Sequence, residues 1–382
     1  MMQILQEKMS LNSSQDKNLI LSHSRNYKMD RWITWQEKPT HIMRLVCCLI
    51  LLACTTVQGQ DIHLSQIHAS PTFLNPAMTG LYDGDFRLIA NYKQQWRNTT
   101  ANYRTLALGF DSKISDLDNQ GFLAVGLNLF SDKAGDLDFS TTSAMLTFSA
   151  AKSLDRRGKH MIMMAVQGGL IRNSLDYTML NVFDPEPSIV AGSTSQVNVM
   201  DASAGIAWYS RFDNHLVYGG ISASHLGQPD MAMIGRGLNY EEKLQRKFIF
   251  HGGGEFKLNN KYTLMPSFIT MEQLPHREWL FGSFIRYDHS EYKRDKGSSF
   301  YLGAWYRYFL RTDIKSSSDG LVLSARLDQN KLTYAFSYDL NFSSLSRATK
   351  GIGGPELSII YVGRWNGTSK GNSKSKIDCP KF

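Results

Sequence analysis

Leu332-Thr333-Tyr334-Ala335-Phe336-Ser337-Tyr338-Asp339 sets bulky apolar side chains at every even position and small or polar ones at every odd position. A period of two belongs to a strand whose two faces meet different surroundings; a helix repeats every 3.6 residues. The same beat recurs along the chain. Phe86, Leu88, Ala90 and Tyr92 alternate with Arg87, Asn91 and Lys93. Leu123, Val125, Leu127 and Leu129 alternate with Ala124, Gly126 and Asn128. Ile162, Met164, Val166 and Leu170 alternate with Met161, Met163, Ala165 and Gly169. No long segment carries an amphipathic helical stripe.

This pattern predicts fourteen strands, at about 85–97, 101–112, 121–131, 137–152, 159–173, 199–211, 215–226, 245–257, 260–272, 277–288, 298–310, 318–327, 330–341 and 355–363. Most exceed the usual five or six residues of a globular strand. They suit a tilted membrane-crossing strand, which needs about 9–11 residues. An even count fits a single-chain bacterial outer-membrane barrel. With the N-terminus in the periplasm, Phe212-Asp213-Asn214, Asn259-Asn260 and Asp328-Gln329-Asn330 fall where short periplasmic turns belong. The stretches 174–198, 227–244 and 342–354 fall where long outer loops belong. A long connection at His289–Gly297 and a short one near 273–276 go against that rule and leave the register between 260 and 298 open.

A sandwich would bury one strand face and expose a charged one. Here the second face of many strands is small or polar, as in Asp201, Ser203, Gly205 and Ala207, which suits a barrel lumen with apolar residues facing lipid. Trp96, Tyr103, Trp208, Trp279, Trp305, Tyr306, Tyr308 and Trp365 near strand ends fit interfacial girdles, or are simply good strand formers. The expected fold is an all-β, antiparallel transmembrane barrel of about 14 strands.

Composition agrees. The chain has 382 residues, 42% hydrophobic and 12% aromatic, with a net charge of +8. That composition excludes disorder. The longest apolar run, Leu45–Cys54, is ten residues, half the length of a spanning helix, which excludes helices as membrane spans but not strands. Lys and Arg are scattered, so nucleic acid is not an expected partner. The run follows Met43-Arg44 and precedes Val57-Gln58-Gly59, as in a secretory signal with small residues at −3 and −1. The expected division is a spurious extension at 1–42, a signal peptide at 43–59, a periplasmic lead-in or plug at 60–84, the barrel at 85–363 and a flexible periplasmic tail at 364–382. A genuine long leader is the alternative for 1–42. Leu51-Leu52-Ala53-Cys54 is a rival, lipobox-like cut that would lipidate Cys54. After cleavage at Gly59, residues 60–382 carry a charge of +5 and a single cysteine, Cys379.

Three segments resemble the PorP/SprF family of the type IX secretion system. The first is Gln60-Asp61-Ile62-His63-Leu64-Ser65-Gln66, followed by Leu74-Asn75-Pro76-Ala77 and Gly80. The second is Asn91-Tyr92-Lys93-Gln94-Gln95-Trp96, with Lys for the family's usual Arg. The third is Phe336-Ser337-Tyr338-Asp339-Leu340, then Ser344-Leu345 and Gly351 to Glu356-Leu357. The ending Cys379-Pro380-Lys381-Phe382 is similar to the family's C-P-R-F. The resemblance implies an outer-membrane protein of Bacteroidota, lodged in outer-membrane lipid, that supports export or surface anchoring of adhesin or gliding-type cargo with a type B C-terminal domain. It also implies partners among the type IX components, in the periplasmic ring or linked to peptidoglycan.

Candidate partner-binding residues are Asn75, Pro76, Gln95, Trp96, Asp339 and Cys379. Asn75-Pro76 favours a turn that could seat a lid in the barrel mouth, or serve as a plain lead-in. Asp201, Lys247, His251, Glu255, Arg286, Arg307 and Asp339 share the polar strand face and would pair inside the lumen or hold a cargo segment. His251 and Glu255 are roughly 13 Å apart along a strand, too far for one metal. No cofactor or metal is expected. Nucleophile elbows and Walker loops are absent from the sequence, so an enzyme is not expected. Gly351-Ile352-Gly353-Gly354 lacks the Lys-Ser/Thr of a phosphate loop and reads as an outer loop. The Gly/Ser/Lys-rich tail is a passive extension or a docking segment for a periplasmic partner. The other functional classes open to such a chain are a porin-like barrel for small solutes and a soluble periplasmic β-protein.

Overall fold

The computed structural model describes residues 64–95, 103–117, 121–135, 139–176, 194–233, 242–289, 298–312, 316–341 and 353–365. The signal, Trp96 and Cys379 lie outside them. The strands are β1 (Phe86–Gln95), β2 (Tyr103–Asp116), β3 (Gly121–Ala134), β4 (Phe139–Ser153), β5 (His160–Asp176), β6 (Thr194–Arg211), β7 (His215–Ser224), β8 (Lys247–Lys257), β9 (Tyr262–Gln273), β10 (His276–Asp288), β11 (Ser299–Arg311), β12 (Ser316–Gln329), β13 (Leu332–Asn341) and β14 (Pro355–Gly363). Each pairs antiparallel with its sequence neighbours. β1 also pairs with β14, from Phe86↔Gly363 to Lys93↔Glu356, which closes the barrel. Closure removes the free edges that β1 and β14 would otherwise present, and in hydrocarbon such edges are prohibitive. Among the described residues, no helix is long and apolar enough to cross a membrane.

The two-residue period sets the two surfaces. Phe148, Val166 and Leu302 face outward with 62%, 61% and 56% of their surface exposed, which is tolerable only against lipid. Their neighbours Thr147, Ala165 and Tyr301 are buried inside. The open register between 260 and 298 resolves with both strands intact, because β9 and β10 are joined by Leu274-Pro275 alone, with His276 opposite Gln273. β6 starts five residues before its expected beginning at 199. Thr194-Ser195-Gln196 has no apolar beat to reveal a strand, but it pairs with Ser174, Leu175 and Asp176 at the end of β5.

The lumen is mixed, and one of the girdle candidates turns into it. The inner face is not uniformly small and polar: Ile249, Ile269, Leu280, Phe284, Tyr301 and Trp305 form an apolar cluster within it. Trp305 is therefore no girdle residue. It is 3% exposed, and its Nε1 donates to Ser267 Oγ at 3.1 Å. Trp208 does face outward.

Candidate functional site

The inner face needs something to bury it, and residues 64–85 supply that. This N-terminal arm folds as a 3-10 turn (Ile67–Ala69), a single helical turn α1 (Pro71–Leu74) and a second 3-10 turn (Pro76–Met78). Proline opens each of the last two, where its missing N–H would have had no partner. Asn75 caps the second by accepting from Ala77 N at 2.9 Å. Such short turns have no stability of their own, so the barrel wall must hold them.

At one rim the arm meets β1, β13 and β14. Ser65 N and Gln66 N donate to the two carboxylate oxygens of Glu356 at 2.7 and 3.1 Å, and Gln66 Nε2 donates to the Glu356 carbonyl at 2.6 Å. Ser65 Oγ donates to Asp339 Oδ2 at 2.5 Å and accepts from Lys93 Nζ at 2.6 Å. Lys93 also reaches Asp339 at 3.2 Å, and Arg307 contacts Asp339 and Glu278, each at 3.0 Å. This cluster holds two cations and three carboxylates. Charges out of water need such partners, and the arm's N–H groups serve the third carboxylate.

Midway, Asn75 is fully buried. Its Nδ2 lies 3.1 Å from Ile206 O, 3.3 Å from Ile221 O and 3.0 Å from His251 Nε2. Gly205 and Gly220 make the notch. A Cβ on Gly205 would collide with the Asn75 side-chain oxygen, and one on Gly220 would lie 2.8 Å from its Nδ2. Thr72 and Asn128 hydrogen-bond at 2.9 Å, and the His68 ring packs 4.9 Å from that of Trp305.

At the other rim, Arg87 grips Asp111 with two bonds, Nε to Oδ1 at 2.9 Å and Nη2 to Oδ2 at 2.8 Å. Asp111 also accepts from Gly80 N at 2.8 Å. Gly80 has φ +83°, and a Cβ there would strike Ala124 and the Phe122 ring, so only glycine fits. Tyr82 Oη donates to Asp111 O at 2.8 Å, under the Arg87 guanidinium 4.7 Å from the ring centre.

The structure buries Asn75 and Pro76 midway along the lumen and Asp339 in the rim cluster, so it does not bring the three together. Gln95 sits apart, half-buried at the end of β1 opposite Tyr103. Of the lumenal charges, Arg286 pairs with Glu255 at 3.3 Å, and Asp201 pairs with His225 at 2.9 Å. Sequence reasoning missed Glu356, Lys93, Ser65, Arg87 and Asp111 as site residues. Ser65, Lys93 and Glu356 lay within the quoted motifs, and what hid them was the distance in sequence between the motifs. Among the described residues, no group of His, Cys, Asp and Glu is placed to hold a metal.

A family model described as "Type IX secretion system membrane protein PorP/SprF" matches residues 56–361. No curated protein matches. Among solved structures, a FadL homologue from Pseudomonas aeruginosa is similar at 12% identity over 77% of this chain and 94% of its own, with a TM-score of 0.40. The toluene transporter TbuX of Ralstonia pickettii is similar at 12% over 76% and 92%, TM-score 0.41. The KdgM porin is similar at 7% over 72% and 98%, TM-score 0.31. Nothing about ligands follows from these likenesses.

Proposed function

Because the chain belongs to the PorP/SprF family of type IX secretion system membrane proteins, we propose that it is an outer-membrane barrel supporting the export or surface anchoring of cargo with a C-terminal sorting domain. It acts by binding and not by catalysis or solute conduction. The observation that carries this reading over a porin is the arm. Ser65, Asn75 and Gly80 are each hydrogen-bonded to the inner wall, at opposite rims and between them. A solute channel needs a water-filled lumen, as porins have, whereas this one holds the arm against buried apolar and polar side chains of the wall.

The expected partners are the passenger's C-terminal domain and the periplasmic components of the machinery. Purified protein in a planar bilayer is expected to be electrically silent, and detergent-solubilised outer membranes should retain the passenger's C-terminal domain on the tagged barrel. Steady porin-sized conductance together with no passenger retained would favour the solute channel and sink this reading.

A further inference from the structure

The direction in which the arm runs decides which side of the membrane its beginning meets. Inward residues of β1 contact the arm in reverse order: Lys93 with Ser65, Asn91 with Ser70, and Arg87 with Met78. The arm therefore runs antiparallel to β1, from the rim where β1 ends to the rim where it begins. Contacts elsewhere on the wall agree. Ser65 and Gln66 hold Glu356, near the start of β14, while Gly80 and Tyr82 hold Asp111, towards the end of β2. Asp85 N then bonds Gly363 O, at the end of β14.

The two rims are told apart by their connections. The strands at Leu64's rim are joined through 96–102, 135–138, 177–193, 225–246, 274–275, 312–315 and 342–354. Those at the opposite rim are joined through 117–120, 154–159, 212–214, 258–261, 289–298 and 330–331. The three longest connections all share the first rim. Outer-membrane barrels keep their turns short on the periplasmic side and their long loops outside the cell.

We infer that the arm enters the lumen from the extracellular rim, with Leu64 at the extracellular end and Asp85 at the periplasmic end. β14 ends at the periplasmic rim. Leu64 and Gly363 thus lie at opposite rims, although β1 and β14 are neighbours. This reverses the expected periplasmic entry of the arm and rests on the outer-membrane reading above.

Cysteine accessibility tests this. In a full-length chain whose four native cysteines are replaced by serine, Asp61→Cys, Arg246→Cys and Lys331→Cys are made singly. A membrane-impermeant maleimide is applied to intact cells, then to permeabilised ones, with an unheated gel shift to verify that each barrel is folded. Asp61→Cys is expected to label on intact cells as fully as Arg246→Cys at the long-loop rim, while Lys331→Cys labels only after permeabilisation. If Asp61→Cys behaves like Lys331→Cys, or labels only once the barrel is denatured, the inference is wrong. Labelling of Lys331→Cys but not Arg246→Cys on intact cells would instead overturn the membrane orientation beneath it.

Discussion

The arm is fastened at both rims, and the two fastenings differ in kind. At the turn-bearing rim one arginine meets one aspartate fork to fork, and the remaining capacity of Asp111 goes to Gly80 N. At the loop-bearing rim, Lys93 and Arg307 face Glu278, Asp339 and Glu356. There the Arg307–Glu278 contact lacks hydrogen-bond geometry, and Asp339 Oδ1 and Arg307 Nη2 are buried without a hydrogen-bond partner among the described residues. A satisfied bidentate pair resists opening, whereas a network with charge in excess and atoms unmatched has less to lose. The difference teaches that the turn rim is the arm's fixed end and that release would begin at the loop rim, at Ser65 and Gln66.

The largest effect should come from breaking the fixed end. Asp111→Asn keeps the shape but turns an amide towards Arg87 and Gly80 N, leaving a buried cation without its counter-charge. Removing one partner of a buried pair costs about 3–5 kcal/mol. The urea midpoint of the barrel, followed by its gel shift, should fall accordingly; an unchanged midpoint would mean that the fork does not anchor the arm.

A smaller effect is expected in the middle. Gly205→Ala puts a methyl where the Asn75 oxygen sits, an overpacking worth about 1–3 kcal/mol. It should loosen the arm and produce intermittent conductance in a planar bilayer that the parent lacks. Asn75→Ala should partly relieve the clash, so the double variant should be more stable than the two single losses added together. Simple additivity would show that the methyl acts elsewhere than on Asn75.

Much of this molecule was legible in its sequence, and the reason is physical. In a bilayer a strand cannot hide an error of alternation, so Phe148, Val166 and Leu302 announce their outward face. All fourteen expected strands are present, with ends displaced by a few residues where the beat fades, as at Thr194. The lumen was harder to read. Its partners are a short arm without periodicity, so Trp305 looked like an interfacial residue and is in fact packed against His68. Asn75-Pro76 read correctly as a turn, but the notch that receives it is made by Gly205 and Gly220, more than a hundred residues away. Glu356 and Ser65 stood in separate motifs, and nothing local in either says that 291 positions separate a donor from its acceptor. Closure of β1 on β14 brings them together, and closure is a property of the whole chain.

The smallest effect should be found at the loop rim, and it is the sharpest test of the comparison. Glu356→Gln removes one of three carboxylates from a cluster that holds two cations. It keeps an oxygen to accept from Ser65 N or Gln66 N and forfeits the other acceptor. The lost hydrogen bond costs about 1–3 kcal/mol, and relief of like-charge repulsion with Asp339 offsets part of it. The net change in the urea midpoint should therefore be well below that of Asp111→Asn, although both substitutions exchange a buried carboxylate for an amide of the same shape. A local readout should still register it. In Glu356→Gln the arm's first residues should become protease-sensitive while Gly80 and the turn rim stay protected. If Glu356→Gln proves as damaging as Asp111→Asn, the two fastenings are equally matched, and the arm has no preferred end from which to open.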